Sequence, residues 1–193
     1  DEITITLNTI GISGSPYSSD VTTSDVSASN STVSANPSTL QAGSNSEVTV
    51  EVRDGSNNPI SGLASGDFNI SVSNSGTAGT ISETATAGTY TFSVSNTVAE
   101  NVTVTVTATG TTLEDTPLIN FTAADPDLMV ITTQPEISIA GQFIEGPPVV
   151  RIDDQFDNPI PNISVTVTEQ GGASFSTGST TTINTDASGL ATF

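Results

Sequence analysis

The chain has 193 residues, two basic side chains against 21 acidic ones, no His, no Cys and a formal net charge of −19. Nucleic acid and anionic membrane surfaces both require cationic side chains, so charge excludes both as partners. Without Cys and His there is no disulfide, no thiolate or imidazole metal site, and no Ser-His-Asp or Cys-His nucleophile; without Lys there is no Lys-based one. The length allows one or two domains with cores of their own, since sandwiches of about 100 residues hold without disulfides. The acidity favours solubility and suits a salty or Ca²⁺-rich exterior that screens it. No run of about 18 apolar residues occurs, so no membrane-spanning helix is expected. Asp1 does not open a basic and apolar leader, which leads us to expect a mature or excised segment. Ser, Thr, Val, Gly, Asn and Ala dominate while strong helix formers are scarce, which predicts an all-β chain.

In chain order, Ile3, Ile5 and Leu7 alternate with Thr4, Thr6 and Asn8, the period of a half-buried strand. Gly11 to Pro16 is turn chemistry, and Tyr17 to Thr22 has the composition of a second short strand. This opening matches a later stretch: Ile3 to Leu7 aligns with Val102 to Val106, Gly11 with Gly110, Pro16 with Pro117 and Asp25 with Asp125. Residues 1–24 therefore read as the closing strands of a preceding module.

A complete module is expected over 25–125. Val33 to Ala35 is its first strand, with Pro37 at the end or a bend. Val48, Val50 and Val52 face one way on the second strand, and a turn follows from Asp54 to Pro59. Phe68, Ile70 and Val72 mark a third strand, Ile81 a short fourth, and Tyr90, Phe92 and Val94 a fifth. Val102, Val104 and Val106 mark a sixth, and Leu118 to Thr122 the last. Seven short strands with turn signals about every 8–12 residues predict an immunoglobulin-like sandwich.

Asp125-Pro126-Asp127 is the expected boundary, since Pro interrupts a ladder and stiffens a link. The third segment, 126–193, opens with Leu128 to Ile131 and continues from Gly146 to Ile152. Ile163, Val165 and Val167 alternate along the next strand, and Gly171-Gly172 is a turn or bulge. Ser179 to Ile183 and Gly189 to Phe193 are strands, the second matching Gly88 to Phe92. The segment has no counterpart of 93–125, so it reads as a module lacking its last strands.

The register of this layout comes from a repeat. Glu51-Val52-Arg53-Asp54-Gly55-Ser56-Asn57-Asn58-Pro59-Ile60 returns one hundred positions later as Arg151-Ile152-Asp153-Asp154-Gln155-Phe156-Asp157-Asn158-Pro159-Ile160. Pro fixes its own φ and pushes the preceding Asn towards an extended conformation, so Asn-Pro-Ile ends a turn and sets the next strand in register. This reading competes with contact to a ligand.

The Asp-x-x-x-Asn-Pro-Ile turn and the Thr185-Asp186-Ala187-Ser188-Gly189-Leu190-Ala191-Thr192-Phe193 ending together resemble bacterial Ig-like modules of the invasin/intimin type. Asn57 and Asp157 stand where that family usually has Gly. The middle segment keeps Thr84, Gly88 and Thr91-Phe92, with Ala85 in place of the family's Asp and Tyr90 in place of its Ala. The stretch Val130 to Pro135 ahead of Gly146-Pro147-Pro148 is also similar to repeats in giant adhesins of gliding bacteria. The resemblance implies tandem immunoglobulin-like β-sandwich modules from the stalk of a long surface adhesin, on the bacterial exterior.

Carboxylates are the chemistry that remains. A glycosidase-like pair needs two acids facing across a cleft, whereas these acids sit near turns and junctions, so no enzyme is expected. Ca²⁺ takes oxygen ligands, and its candidates are Asp125 and Asp127 at the boundary and Asp153, Asp154 and Asp157 before Asn158. Neither set has EF-hand spacing, and the competing account is that these Asp residues hold turns. The sequons at Asn30, Asn69, Asn101, Asn120 and Asn162 follow from composition. Tyr17, Tyr90 and the Phe residues could form a sugar-stacking platform or a core.

Three functions stay open. One is a spacer whose partners are neighbouring Ig-like modules. Another is a filament subunit, residues 1–24 of one chain completing 126–193 of the next by strand addition. The third is a glycan- or protein-binding module using end loops.

Overall fold

A computed structural model describes residues 25–136, 142, 146–169 and 179–193, together with four short strands inside 1–24. Those strands are β1 (Glu2–Ile3), β2 (Thr6–Leu7), β3 (Ile10–Gly11) and β4 (Tyr17–Ser18), with β1 paired to β4 and β2 to β3. The expected turns at 12–16 and Gly171-Gly172 lie outside the described residues.

The middle segment is a two-sheet sandwich built from β5 (Thr32–Asn36), β6 (Thr39–Gln41), β7 (Asn45–Glu51), β8 (Phe68–Val72), β9 (Thr77–Ala78), β10 (Ser82–Glu83), β11 (Thr89–Ser95), β12 (Asn101–Ala108), β13 (Thr111–Thr112) and β14 (Leu118–Thr122). One sheet runs β10-β11-β7-β5, with β9 also on β11. The other runs β13-β12-β14-β6, with β8 also on β12. Alternation decides which face is inside. Val48, Val50, Tyr90 and Val94 of the first sheet and Val102, Val104, Val106 and Ala108 of the second are fully buried, as is Val52 just past β7. Each Val so buried is worth about 1.5–3 kcal/mol relative to exposure. The intervening Thr and Ser residues lie on the outer faces.

The structure adds three strands that periodicity does not show. β6 is the clearest: after the cis Asn36–Pro37 bond the chain leaves the sheet of β5 and pairs in parallel with β14, Leu40 opposite Phe121. Three residues with one half-buried Leu carry no readable alternation. β9 and β13 have two residues each and are edge pairings. Ile81 is buried, but the short strand it was expected to occupy begins one residue later, at Ser82.

The last segment contains β15 (Leu128–Thr133), β16 (Val149–Asp153), β17 (Ser164–Thr166), β18 (Thr182–Asn184) and β19 (Leu190–Thr192). Their order is β15-β16-β19, with β17 on β18. A separate core forms from Val150, Ile152, Ile160, Val165 and Ala191, with Ala123, Ile163, Ile183 and Phe193 packed on it. The architecture is all-β; among the described residues the one helical element is a single 3-10 turn at Ser65–Asp67.

Candidate functional site

The repeated turn has the same geometry in both copies. Asp54 N–H donates to Asn58 O (2.9 Å) and Asp154 N–H to Asn158 O (3.0 Å). One carboxylate oxygen of each Asp accepts two N–H groups: Ser56 and Asn58 at 2.8 Å in the first copy, Phe156 at 2.8 Å and Asn158 at 3.0 Å in the second. The other oxygen accepts the Asn carboxamide, at 3.0 and 2.9 Å. The residue before Asn has φ of 68° at Asn57 and 65° at Asp157. That left-handed conformation explains the family's Gly, and Asn and Asp are the side chains that tolerate it best.

The family's two motifs meet in space. Gly88 and Gly189 both have φ of +72°, and a Cβ on them would lie 2.7 Å from Pro59 Cβ and 2.6 Å from Ile152 O respectively. The Asn-Pro-Ile turn thus seats directly on the glycine of the following hairpin. Beneath it lies a polar socket, filled in two ways. In the sandwich the Tyr90 hydroxyl donates to Ile60 O (2.9 Å) and accepts from Leu63 N–H (3.2 Å). In the last segment the Thr185 hydroxyl donates to Ile160 O (2.7 Å) and accepts from Ile163 N–H (2.9 Å). Register places Ala191, not Tyr90's equivalent ring, opposite Val150. The departure of the middle segment from the family pattern is therefore compensated: Tyr90 replaces Ala and supplies the hydroxyl that Thr185 supplies elsewhere. Burial raises the Tyr90 pKa, against the lowering effect of the Leu63 hydrogen bond.

At the junction the second turn does more than the first. Asn158 is buried. Its Nδ2 donates to Thr97 O (2.8 Å) and its Oδ1 accepts from Ala99 N–H (2.9 Å) of the β11–β12 loop. Asp154 also accepts Ala124 N–H at 2.8 Å. Burial pushes the Asp154 carboxyl up, but the Asn158 carboxamide and the N–H groups of Ala124, Asn158 and Phe156 outweigh it and hold the pKa below the usual value. The contacting loop is itself built: Asn96 Oδ1 accepts Val98 N–H, and Glu100 accepts both Asn96 Nδ2 and Ser75 N–H, each at 2.9 Å. These bonds, Asn96 first, lower the Glu100 pKa. Phe156 lies on Gly43, where a Cβ would come within 2.6 Å of its ring. A cavity of about 350 Å³ opens beside this contact, lined in part by Gln41, Ser44, Asp125 and Gln155.

The acids named from sequence, Asp125 and Asp127 at the boundary and Asp153, Asp154 and Asp157 in the turn, are placed as follows. Asp125 accepts Gln41 Nε2 (3.0 Å), Asp153 pairs with Arg151 (2.8 Å), Asp154 is the buried centre of the turn, and Asp127 and Asp157 are exposed. Among the described residues no three acidic side chains are placed to share a cation. Tyr90, Phe92 and Phe121 are core residues, with the Phe68 ring 4.9 Å from that of Tyr90. Sequence reasoning missed Phe156, Gly43 and the Asn96–Glu100 loop. One signal was present: a large apolar residue at the tip of a polar turn, where the first copy has Ser56.

Two facing sheets, with the chain crossing from one to the other between β5 and β6, define an immunoglobulin-like sandwich. More particularly, the chain belongs to the family of invasin domain 3, whose model matches residues 27–124. Among solved structures it is similar to the adhesin InvE of Yersinia pseudotuberculosis, with 27% identity over 86% of this chain and 51% of that one and a TM-score of 0.52. InvD of the same organism gives 18% identity, 74% and 46% coverage and a TM-score of 0.55. Invasin, a bacterial integrin-binding protein, gives 22%, 77%, 34% and 0.55. The chain spans roughly a third to a half of the length of these proteins. No curated protein matches it.

Proposed function

We propose that the chain is a spacer segment of a long adhesin on the bacterial exterior, its Ig-like units joined end to end to hold a binding domain away from the cell. The observation that carries this reading is the junction itself. Asn158, Asp154 and Phe156 of one unit contact the β11–β12 loop, Ala124 and Gly43 of the other through three hydrogen bonds and an aromatic contact. A buried carboxamide that reads a neighbour's backbone fixes an angle rather than merely linking two beads, because a shifted partner leaves its polar atoms unpaired. Small-angle scattering is expected to give an extended particle with a defined inter-unit angle. A compact globule overturns the reading.

A second reading, assembly between chains, draws support from β15. Among the described residues it is an edge strand, and Leu128, Met129, Val130 and Ile131 on it are 45%, 64%, 41% and 52% exposed. Such an edge templates pairing with another chain. Light scattering across a concentration series tests it: growing mass that Ile131→Lys abolishes supports assembly, and a constant monomer mass rejects it.

A further inference from the structure

The two turns match bond for bond, but their surroundings differ on one side. Asn158 is 6% exposed, and both free arms of its carboxamide are spent on Thr97 O and Ala99 N–H. Asn58 has the same backbone and the same bond to its Asp, yet it is exposed, and among the described residues its Oδ1 makes no hydrogen bond. The side chain is held in place by Asp54, so it presents an acceptor and a second donor N–H at fixed spacing. In the second copy that spacing fits a carbonyl and the N–H two residues further on. A partner must therefore offer a short exposed stretch of backbone shaped like Thr97 to Ala99.

We propose that Asn58 is the docking residue for the β11–β12 loop of a preceding module of this same fold, so that the Asp-x-x-x-Asn-Pro turn is the repeating joint of an array. The starts of the two units match as well: Ser27 N–H donates to Arg53 O (2.8 Å) as Asp127 N–H donates to Asp153 O (3.0 Å). A chain arriving at Asp25 would thus meet the sandwich as Ala124 and Asp125 meet the last segment. The first joint differs at three tip residues, Gly55, Ser56 and Asn57 against Gln155, Phe156 and Asp157. Ser56 replaces Phe156, so it lacks the ring on Gly43 and depends more on the carboxamide. The partner is a module in the same polypeptide, because a second free copy already spends its β11–β12 loop on its own Asn158. This inference rests on the spacer reading and gives it a residue-level joint.

The test places a copy of residues 25–124 directly ahead of residues 25–193 and follows amide hydrogen exchange by NMR. The Ala99 amide of the added copy is expected to be as protected as the native Ala99 amide. Asn58→Ala is expected to speed its exchange about tenfold or more, the equivalent of about 1.4 kcal/mol, while the native joint stays protected. Asn158→Ala should do the reverse. Ala99→Pro in the added copy deletes the donor without touching the turn and should loosen the same joint. An added copy whose Ala99 amide exchanges equally fast with either residue at position 58 overturns the proposal, as does an unprotected amide in the unsubstituted fusion. Scattering on the native chain tests the spacer reading separately, so the two can fail independently.

Discussion

At the scale of single residues, hydroxyls and backbone signs decide the outcome. The socket formed by Ile60 O and Leu63 N–H is closed by Tyr90, and its twin by Thr185. Tyr90→Phe keeps the ring and strands a buried carbonyl and a part-buried N–H. Denaturant unfolding is expected to show a loss of about 1–3 kcal/mol, and Thr185→Val a similar loss in the last segment. Burial raises the Tyr90 pKa above 10.0, so the neutral form is the folded one. Its contribution is complete below pH 10 and is lost as pH rises through the raised value; Tyr90→Phe should flatten that alkaline decline. Asn57 and Asp157 sit at φ near +65°. Replacement by Gly should be close to neutral, whereas Val should cost about 1–2 kcal/mol by the same denaturant measurement.

At the scale of elements, two motifs distant in sequence prove to be one contact. A Cβ at Gly189 would meet Ile152 O, Pro159 and Ile160, and one at Gly88 the equivalent atoms of the first copy. Gly189→Ala combines an unfavourable φ with a Cβ pressed on a carbonyl oxygen. Its expected cost is about 2–4 kcal/mol, read as earlier melting of the last segment with the sandwich unchanged. The long strands were legible beforehand because β7, β11 and β12 alternate over seven or eight residues. The short ones were not. β6 exists because β14 offers it a parallel edge after the chain crosses between sheets, and nothing in Thr39-Leu40-Gln41 announces that partner.

At the scale of the whole molecule, the junction is a buried polar contact with a carboxylate at its centre. Folding holds the Asp154 pKa below its ordinary 3.8. The stabilisation is therefore present above that value and lost as pH falls through the lowered one. Protection of the Ala124 amide, relative to its intrinsic exchange rate, is expected to fall as pH drops through the lowered Asp154 value, ahead of either core. Asp154→Asn should remove that pH dependence and weaken the joint at neutral pH. Added Ca²⁺ or chelator should leave the melting temperature unchanged, because Asp154 is filled by N–H donors and Asp153 is paired with Arg151. A rise with Ca²⁺ would identify Asp125 and Asp127 as ligands.

The sequence by itself determined the all-β class, the strands with long alternation, the turn chemistry and its hundred-residue period, and the lack of the side chains that His-, Cys- and Lys-dependent chemistry uses. These follow from local physics: side-chain period, fixed φ at Pro, tolerance of a left-handed backbone by Asn and Asp, and a shortage of cations. Tertiary structure decided what those elements touch. It set the parallel pairing of β6, exchanged Tyr90 for Thr185 in one socket, and turned the second Asn-Pro-Ile from a turn into a joint. Asn58 and Asn158 are identical within the chain and differ only in what packs against them. A neighbour brought close by folding is information that no local pattern holds.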